Sequence, residues 1–239
     1  MKIKTLFEVY TQLVTNKANS EIIFADSGMV NDYEKLDFGF FPLGSGILTD
    51  RSKIENATIE DYGTMILGND FGTITYVETK CSKENREDNS KTIANLQNIG
   101  LDINTTFFTN FYLGLRNDKL HKGTTNTKRI KQIKQDYKDL CFNFFLSQLE
   151  LINPKTVVCL GSEVGQTLSE ISPIFSNFSK KKNKITTLFS DTSRQDYIIH
   201  TNDSIFEQRK FILIPHPSYA HINWNKHDIK NKIVSALKN

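Results

Sequence analysis

The sequence predicts an α/β protein, a three-layer α/β/α arrangement around a short, mostly parallel central sheet. Short apolar runs recur at Thr64-Met-Ile-Leu67, Thr105–Thr109, Thr156-Val-Val-Cys-Leu160 and Phe211-Ile-Leu-Ile214. Each run breaks on a turn-forming or polar residue, and segments of helical periodicity lie between several of them. The runs are apolar throughout rather than alternating, the mark of strands buried on both faces, as in a parallel sheet covered by helices.

Composition fits a folded core. The chain has 239 residues, 38% of them apolar and 24% charged, which is too apolar for a disordered chain. With 30 Lys+Arg against 27 Asp+Glu the net charge is +3, so electrostatic attraction to a polyanion would depend on clustering. Clusters occur at Lys119–Lys134 and at Lys180-Lys181-Lys182-Asn183-Lys184; the plain reading of both is a solvated helix face and a loop tip. The three cysteines, Cys81, Cys141 and Cys159, form no CxxC pair. They exclude a disulfide framework, a zinc ribbon and a four-cysteine iron–sulfur site within one chain. Met1–Glu8 has no apolar h-region and no eighteen apolar residues run together, so neither a signal peptide nor a membrane span is expected, and the expected location is cytoplasmic. Without repeats or a Pro-rich linker, residues 1–239 are expected to form a single domain.

The elements follow in order. Leu6, Val9, Tyr10 and Leu13 recur at helical spacing, predicting a helix over 5–17, and Phe38–Asp50 is a turn-rich stretch. A strand at 64–67 ends in Gly68-Asn-Asp-Phe-Gly72, and one at 105–109 stops at Asn110. Residues 129–152 read as a long amphipathic helix closed by Asn153-Pro154. The strand at 156–160 runs through Gly161-Ser162 into a helix ending near Ile171, with Ser162 as N-cap and Glu163 at the positive helix end. The strand at 211–214 stops at Pro215-His216-Pro217, and a final helix spans about 227–238.

In open α/β sheets, ligands bind beyond the carboxyl ends of the strands. Three of the four strand ends deliver Asp70, Asn110 and His216. A carboxylate can orient water or face a developing cation, an imidazole can donate to a developing anion, and an amide can read a base edge with one donor and one acceptor. Ser218 lies outside any GxSxG elbow, and no Walker or GxGxxG loop is present; the plain reading of Gly44-Ser-Gly46 is a turn.

Taken together, Gly68-Asn-Asp-Phe-Gly72, Phe107-Phe-Thr-Asn110 and His216-Pro-Ser218 resemble the uracil-DNA glycosylase superfamily, in that order and at strand ends. The stretch Leu151-Ile-Asn-Pro154 to Val157-Val-Cys-Leu-Gly161 is similar to the helix–strand unit before the second motif of that superfamily, and the resemblance spans roughly residues 38–225. It implies a uracil-DNA glycosylase-like fold and a monofunctional DNA glycosylase that hydrolyses the N-glycosidic bond of a flipped-out pyrimidine. It makes Asp70 the acid that positions water and His216 the donor to the pyrimidine O2. Asn110 would read the base, with Asn69, Phe71 and Gly72 lining the pocket. Ser218, Tyr219, His221 and Asn223 would belong to the loop entering the minor groove, and Ser45 and the basic clusters become candidate phosphate contacts. Phe71, Tyr76 and Phe108 are the candidates to stack on the base. The implied partner is DNA, with no metal, cofactor, iron–sulfur cluster or membrane. Two departures stand out: Phe71 replaces the usual Pro, and Gly72 occupies the place of a Tyr that blocks a C5 methyl group, so 5-substituted pyrimidines have room.

Each residue also has a plainer reading. Asp70 between glycines can form an Asx turn, and Asn110 can cap a helix. His216, between two prolines, is conformationally fixed and reads as functional, whereas His221 and Trp224 read as packing or loop anchors and His121, His200 and His227 as surface. The cysteines read as small core residues. Three alternatives stand beside a repair glycosylase: a glycosylase acting on modified bases of phage DNA in defence, an inactive nucleic-acid-binding relative, and a small-molecule nucleoside or ester hydrolase.

Overall fold

The computed structural model describes residues 29–30, 63–75, 87–103, 105–117, 134–191, 195–202, 205–206 and 208–238. The expected helix over 5–17, the turn-rich stretch with Ser45, Tyr76, Cys81, His121 and all but the end of the 119–134 basic run lie outside the described residues. The strands are β1 (Met29–Val30), β2 (Thr64–Gly68), β3 (Thr106–Asn110), β4 (Leu115–Arg116), β5 (Thr156–Leu160), β6 (Ile198–His200) and β7 (Lys210–Ile214). The helices are α1 (Glu87–Gln97), α2 (Gln135–Ile152), α3 (Gly161–Ile171), the short α4 (Ala220–Asn223) and α5 (Ile229–Lys238), with 3-10 turns between several of them.

Five strands form one sheet in the order β3-β2-β5-β7-β6, and β1 pairs with β4 as a separate antiparallel ribbon. The strands β3, β2, β5 and β7 are parallel, while β6 runs antiparallel to β7 at the edge. The chain steps one way from β2 to β3 and the other way from β3 to β5 and on to β7. Right-handed crossovers therefore place α1 on one face and α2 and α3 on the other. Lys138 of α2 bonds Glu170 of α3 at 3.0 Å, as two helices sharing a face allow. The expected α/β class and mostly parallel sheet are thus observed. The edge strand β6 was not expected, because Ile198-Ile-His200 is short and only partly buried, and its pairing is decided by β7.

Every central strand is buried except at its start, β3 throughout, which explains why their sequences are apolar without alternation. The helix expected over 129–152 starts at Gln135, because Lys134 is extended and occupies the cap position, and it ends as expected: Asn153 adopts φ 48° and donates its N–H to the Leu149 carbonyl. Arg209, itself buried, donates to the same carbonyl at 3.0 Å and to the Asn153 side chain at 3.1 Å, bringing positive charge to the negative helix end. Ser162 is not the N-cap of α3. The helix starts at Gly161, so the cap position falls on Leu160, two residues before Ser162, and no side chain caps it. Glu163 does sit in the first turn, where Lys180 bonds it at 2.6 Å. Cys141 and Cys159 are buried thiols in the core; burial pushes Cys141 up to about 12 and raises Cys159 as well, so both stay protonated.

Helix α3 approaches β7 closely through Gly165, where a Cβ would lie 2.7 Å from the Phe178 carbonyl oxygen and 2.8 Å from Leu213. The carbonyl is backbone and cannot swing aside. Gly165→Ala is therefore expected to destabilise by about 1–3 kcal/mol through overpacking, which outweighs the gain of up to about 1 kcal/mol in helix propensity. A urea titration checks it; an unchanged or raised midpoint contradicts the packing argument.

Candidate active site

The carboxyl ends of the four parallel strands lie side by side. Gly68, which ends β2, pairs with Asn110, which ends β3. Beyond the sheet edge the pairing continues: Phe111 donates its N–H to the Gly68 carbonyl, Tyr112 to Asn69 and Arg116 to Gly72, each at 2.9 Å. These three bonds fasten the 68–72 turn to the 111–116 segment. Tyr137 of α2 secures that segment from below by donating its hydroxyl to the Leu113 carbonyl.

Asn110 is 3% exposed, and no helix starts after it, so the helix-cap reading is overturned. Its side chain lies over its strand neighbour: a Cβ on Gly68 would come within 2.0 Å of the Asn110 Oδ1. Glycine at 68 is the condition for Asn110 to occupy its place.

Asp70 does form the Asx turn, with Oδ1 accepting the Gly72 N–H at 2.8 Å and Gly72 at φ 90°, a conformation that favours glycine. The same Oδ1 accepts from Arg116 Nε at 3.0 Å, while Oδ2 accepts from the Asn69 amide at 2.9 Å. Asn69 in turn accepts from Thr167 of α3 at 3.5 Å. The Asp70 and Arg116 side chains are 17% and 12% exposed, so their ion pair is largely desolvated. Removing one partner of a fully buried pair costs about 3–5 kcal/mol, and the residual exposure here reduces that. Arg116 was not singled out from the sequence; nothing in Leu115-Arg116-Asn117 forms a motif, and only the loop pairing brings it to Asp70.

His216 follows β7, and its Cβ would meet a Cβ on Gly161 at 3.4 Å, which places it beside the end of β5. Its Nδ1 accepts the Ser218 N–H at 3.3 Å. Burial holds its pKa below the ordinary histidine value. A neutral ring with Nδ1 as acceptor carries its proton on Nε2. Helix α1 anchors the loop that follows: Asn95 donates to the Pro217 carbonyl at 2.9 Å, and the Thr92 and Ser218 hydroxyls lie 3.0 Å apart. Trp224, buried, donates to the Pro215 carbonyl at 3.0 Å and anchors the loop as expected. His221 is exposed rather than packed, and His200 and His227 lie at the surface. Tyr219 and Ile222 are 58% and 50% exposed, and Asn223 is half-buried.

The stacking candidates separate. Phe108 lies within β3 opposite Ile66, 1% exposed, and is part of the core. Phe71 is buried in the turn beside Asp70. A cleft of about 220 Å³ opens on the α2–α3 side, lined by Phe111, Tyr112, Lys138, Thr167 and Glu170 among others, and it includes none of Asp70, Asn110 and His216. Among the described residues no three His, Cys, Asp or Glu side chains group as metal ligands, and no helix is long and apolar enough to cross a membrane.

The family model for the uracil DNA glycosylase superfamily matches residues 91–238, well over half of the chain. The matched span contains Asn110 and His216 and begins after the turn that carries Asp70. No curated protein matches.

Because the folded His216 binds its proton less readily than an unfolded histidine, its contribution to stability is complete above the ordinary value near 6.5 and is lost as pH falls through its lowered value. Melting temperatures measured from pH 7.5 to 5 are expected to fall less for His216→Gln than for the natural chain. Parallel curves would contradict a buried neutral imidazole.

Proposed function

The chain belongs to the uracil-DNA glycosylase superfamily, and from that premise we propose that it is a monofunctional DNA glycosylase hydrolysing the N-glycosidic bond of an extruded pyrimidine. The observation that carries the reading is the arrival of a carboxylate, an amide and a neutral imidazole at one sheet edge. From β3 to β7 there are three strand spacings, roughly 14 Å between backbones, which the Asn110 and His216 side chains and one six-membered ring would fill.

The chemistry then follows from the groups. The Asn110 amide pairs with the carbonyl and imide edge of the base. His216 Nε2–H donates to O2 as the C1′–N1 bond breaks and its electron pair leaves on the base; a neutral donor leaves the departing base an anion rather than a protonated species. Asp70 accepts a hydrogen bond from the attacking water, faces the oxocarbenium-like sugar and takes the water's proton as the C1′–O bond forms. The exposed Tyr219 and Ile222, on the loop after His216, are positioned to enter the duplex and hold the nucleotide extruded. Exposed Lys181, Lys182 and Lys184 supply salt-dependent attraction to the backbone.

A second reading concerns the base. Gly72 has no side chain to exclude a C5 substituent, and its φ of 90° keeps larger residues out of that position. This favours 5-substituted pyrimidines, including modified bases of phage DNA.

The test uses oligonucleotides bearing uracil, a mismatched thymine, or hydroxymethylated or glucosylated cytosine, each followed by alkali. Strand scission at one of them that falls about 10²–10⁴-fold in Asp70→Asn and about 10²–10³-fold in His216→Ala supports the reading. Binding to every oligonucleotide without scission would instead mark an inactive DNA-binding relative. Gly68→Ala should match Asn110→Ala, since both remove the amide from its place: base release slows while DNA affinity stays within about threefold. Wild-type turnover by Gly68→Ala would sink the role assigned to Asn110.

A further inference from the structure

We propose that Arg116 is the positioning residue of Asp70, locking the carboxylate in the orientation that holds the attacking water. The inference deepens the glycosylase reading and rests on it.

Arg116 and Asp70 are fixed to each other at two levels. The Arg116 backbone N–H is bonded to the Gly72 carbonyl, and Arg116 forms a parallel bridge with Thr73, so its Cα is tied to the turn that carries Asp70. The side chain then reaches back to Asp70 Oδ1 at 3.0 Å. With Gly72 N–H on the same oxygen and Asn69 on the other, the carboxylate is held by donors on both oxygens and its rotation is blocked. Oδ1 already accepts two bonds, whereas Oδ2 accepts one and keeps a lone pair for water, so the pattern orients the group without closing it.

Arg116 and Arg209 make their contacts in different ways. Arg209 spends both terminal nitrogens on three acceptors, the Phe206 and Leu149 carbonyls and the Asn153 side chain. Arg116 meets its carboxylate through Nε alone, and its buried Nη1 has no partner among the described residues. A buried donor left unpaired carries a desolvation cost. The Nε contact fixes one carboxylate oxygen. Its charge also offsets that of Asp70, so the acid acts on the water through directed lone pairs more than through net negative charge. A lysine cannot reproduce this, because its ammonium is a point charge on a flexible stem.

The experiment measures single-turnover base release and, separately, affinity for a non-cleavable duplex, in Arg116→Ala, Arg116→Lys, Asp70→Asn and the Asp70→Asn/Arg116→Ala double variant. Arg116→Ala is expected to slow release about 10²-fold with affinity unchanged within about twofold. Millimolar guanidinium should restore part of the Arg116→Ala rate and none of the Asp70→Asn rate. The double variant should be no slower than Asp70→Asn, because the arginine acts only through the acid. Arg116→Lys keeps the charge, and with it folding, and should still lose about tenfold. A wild-type rate in Arg116→Lys or Arg116→Ala, or additive losses in the double variant, overturns the inference while Asp70→Asn continues to support the glycosylase. A natural chain that releases no base from any oligonucleotide overturns the glycosylase reading and this inference with it.

Discussion

The hydrogen-bond ladder between β2 and β3 does not stop where the strands stop, and the geometry of the site depends on that continuation. Phe111, Tyr112 and Arg116 donate in turn to Gly68, Asn69 and Gly72, so two loops that would otherwise move independently behave as one piece. Loops at the ends of strands are usually the least stable part of an α/β fold. Here the backbone pairing holds Asn110 against Gly68 and Arg116 against Asp70, and Thr167 and Tyr137 brace the assembly from the helices below.

The other wall is built by different means. His216 is set by its place after β7, by the close approach of Gly161 and by the N–H of Ser218 on its Nδ1. Helix α1 grips the following loop through Thr92 and Asn95, and Trp224 closes it on Pro215. The result is an imidazole kept neutral by burial on one side of the edge and a carboxylate kept paired with a cation on the other. Opposite strategies suit the opposite tasks of the proposed reaction: a donor to a developing anion that gives up no proton, and an acceptor that must point one way.

Much of this was legible in the chain. The four buried strands, the Asn153 stop of α2, the glycine turn at 68–72 and the burial of Cys141 and Cys159 followed from hydrophobic runs and turn chemistry. The family followed from three short motifs in order, and the family model agrees. Two local readings failed for one reason. Ser162 and Asn110 are both good capping residues, yet α3 starts at Gly161 and Asn110 remains in its strand, because strand register overrode side-chain preference. The β6 edge strand was missed because two half-buried residues and an exposed one have no period to detect.

Apolar runs, turn residues and motif order are properties of neighbours along the chain, and they determined the fold class and the identities of Asp70, Asn110 and His216. Tertiary structure alone decided which groups touch them. Arg116 lies 46 residues from Asp70, and Thr92 lies 126 from Ser218. Contacts over such separations are set by sheet register and loop closure, which no local pattern encodes. The sequence therefore named the candidate groups, and the packed sheet edge chose the partners that orient them.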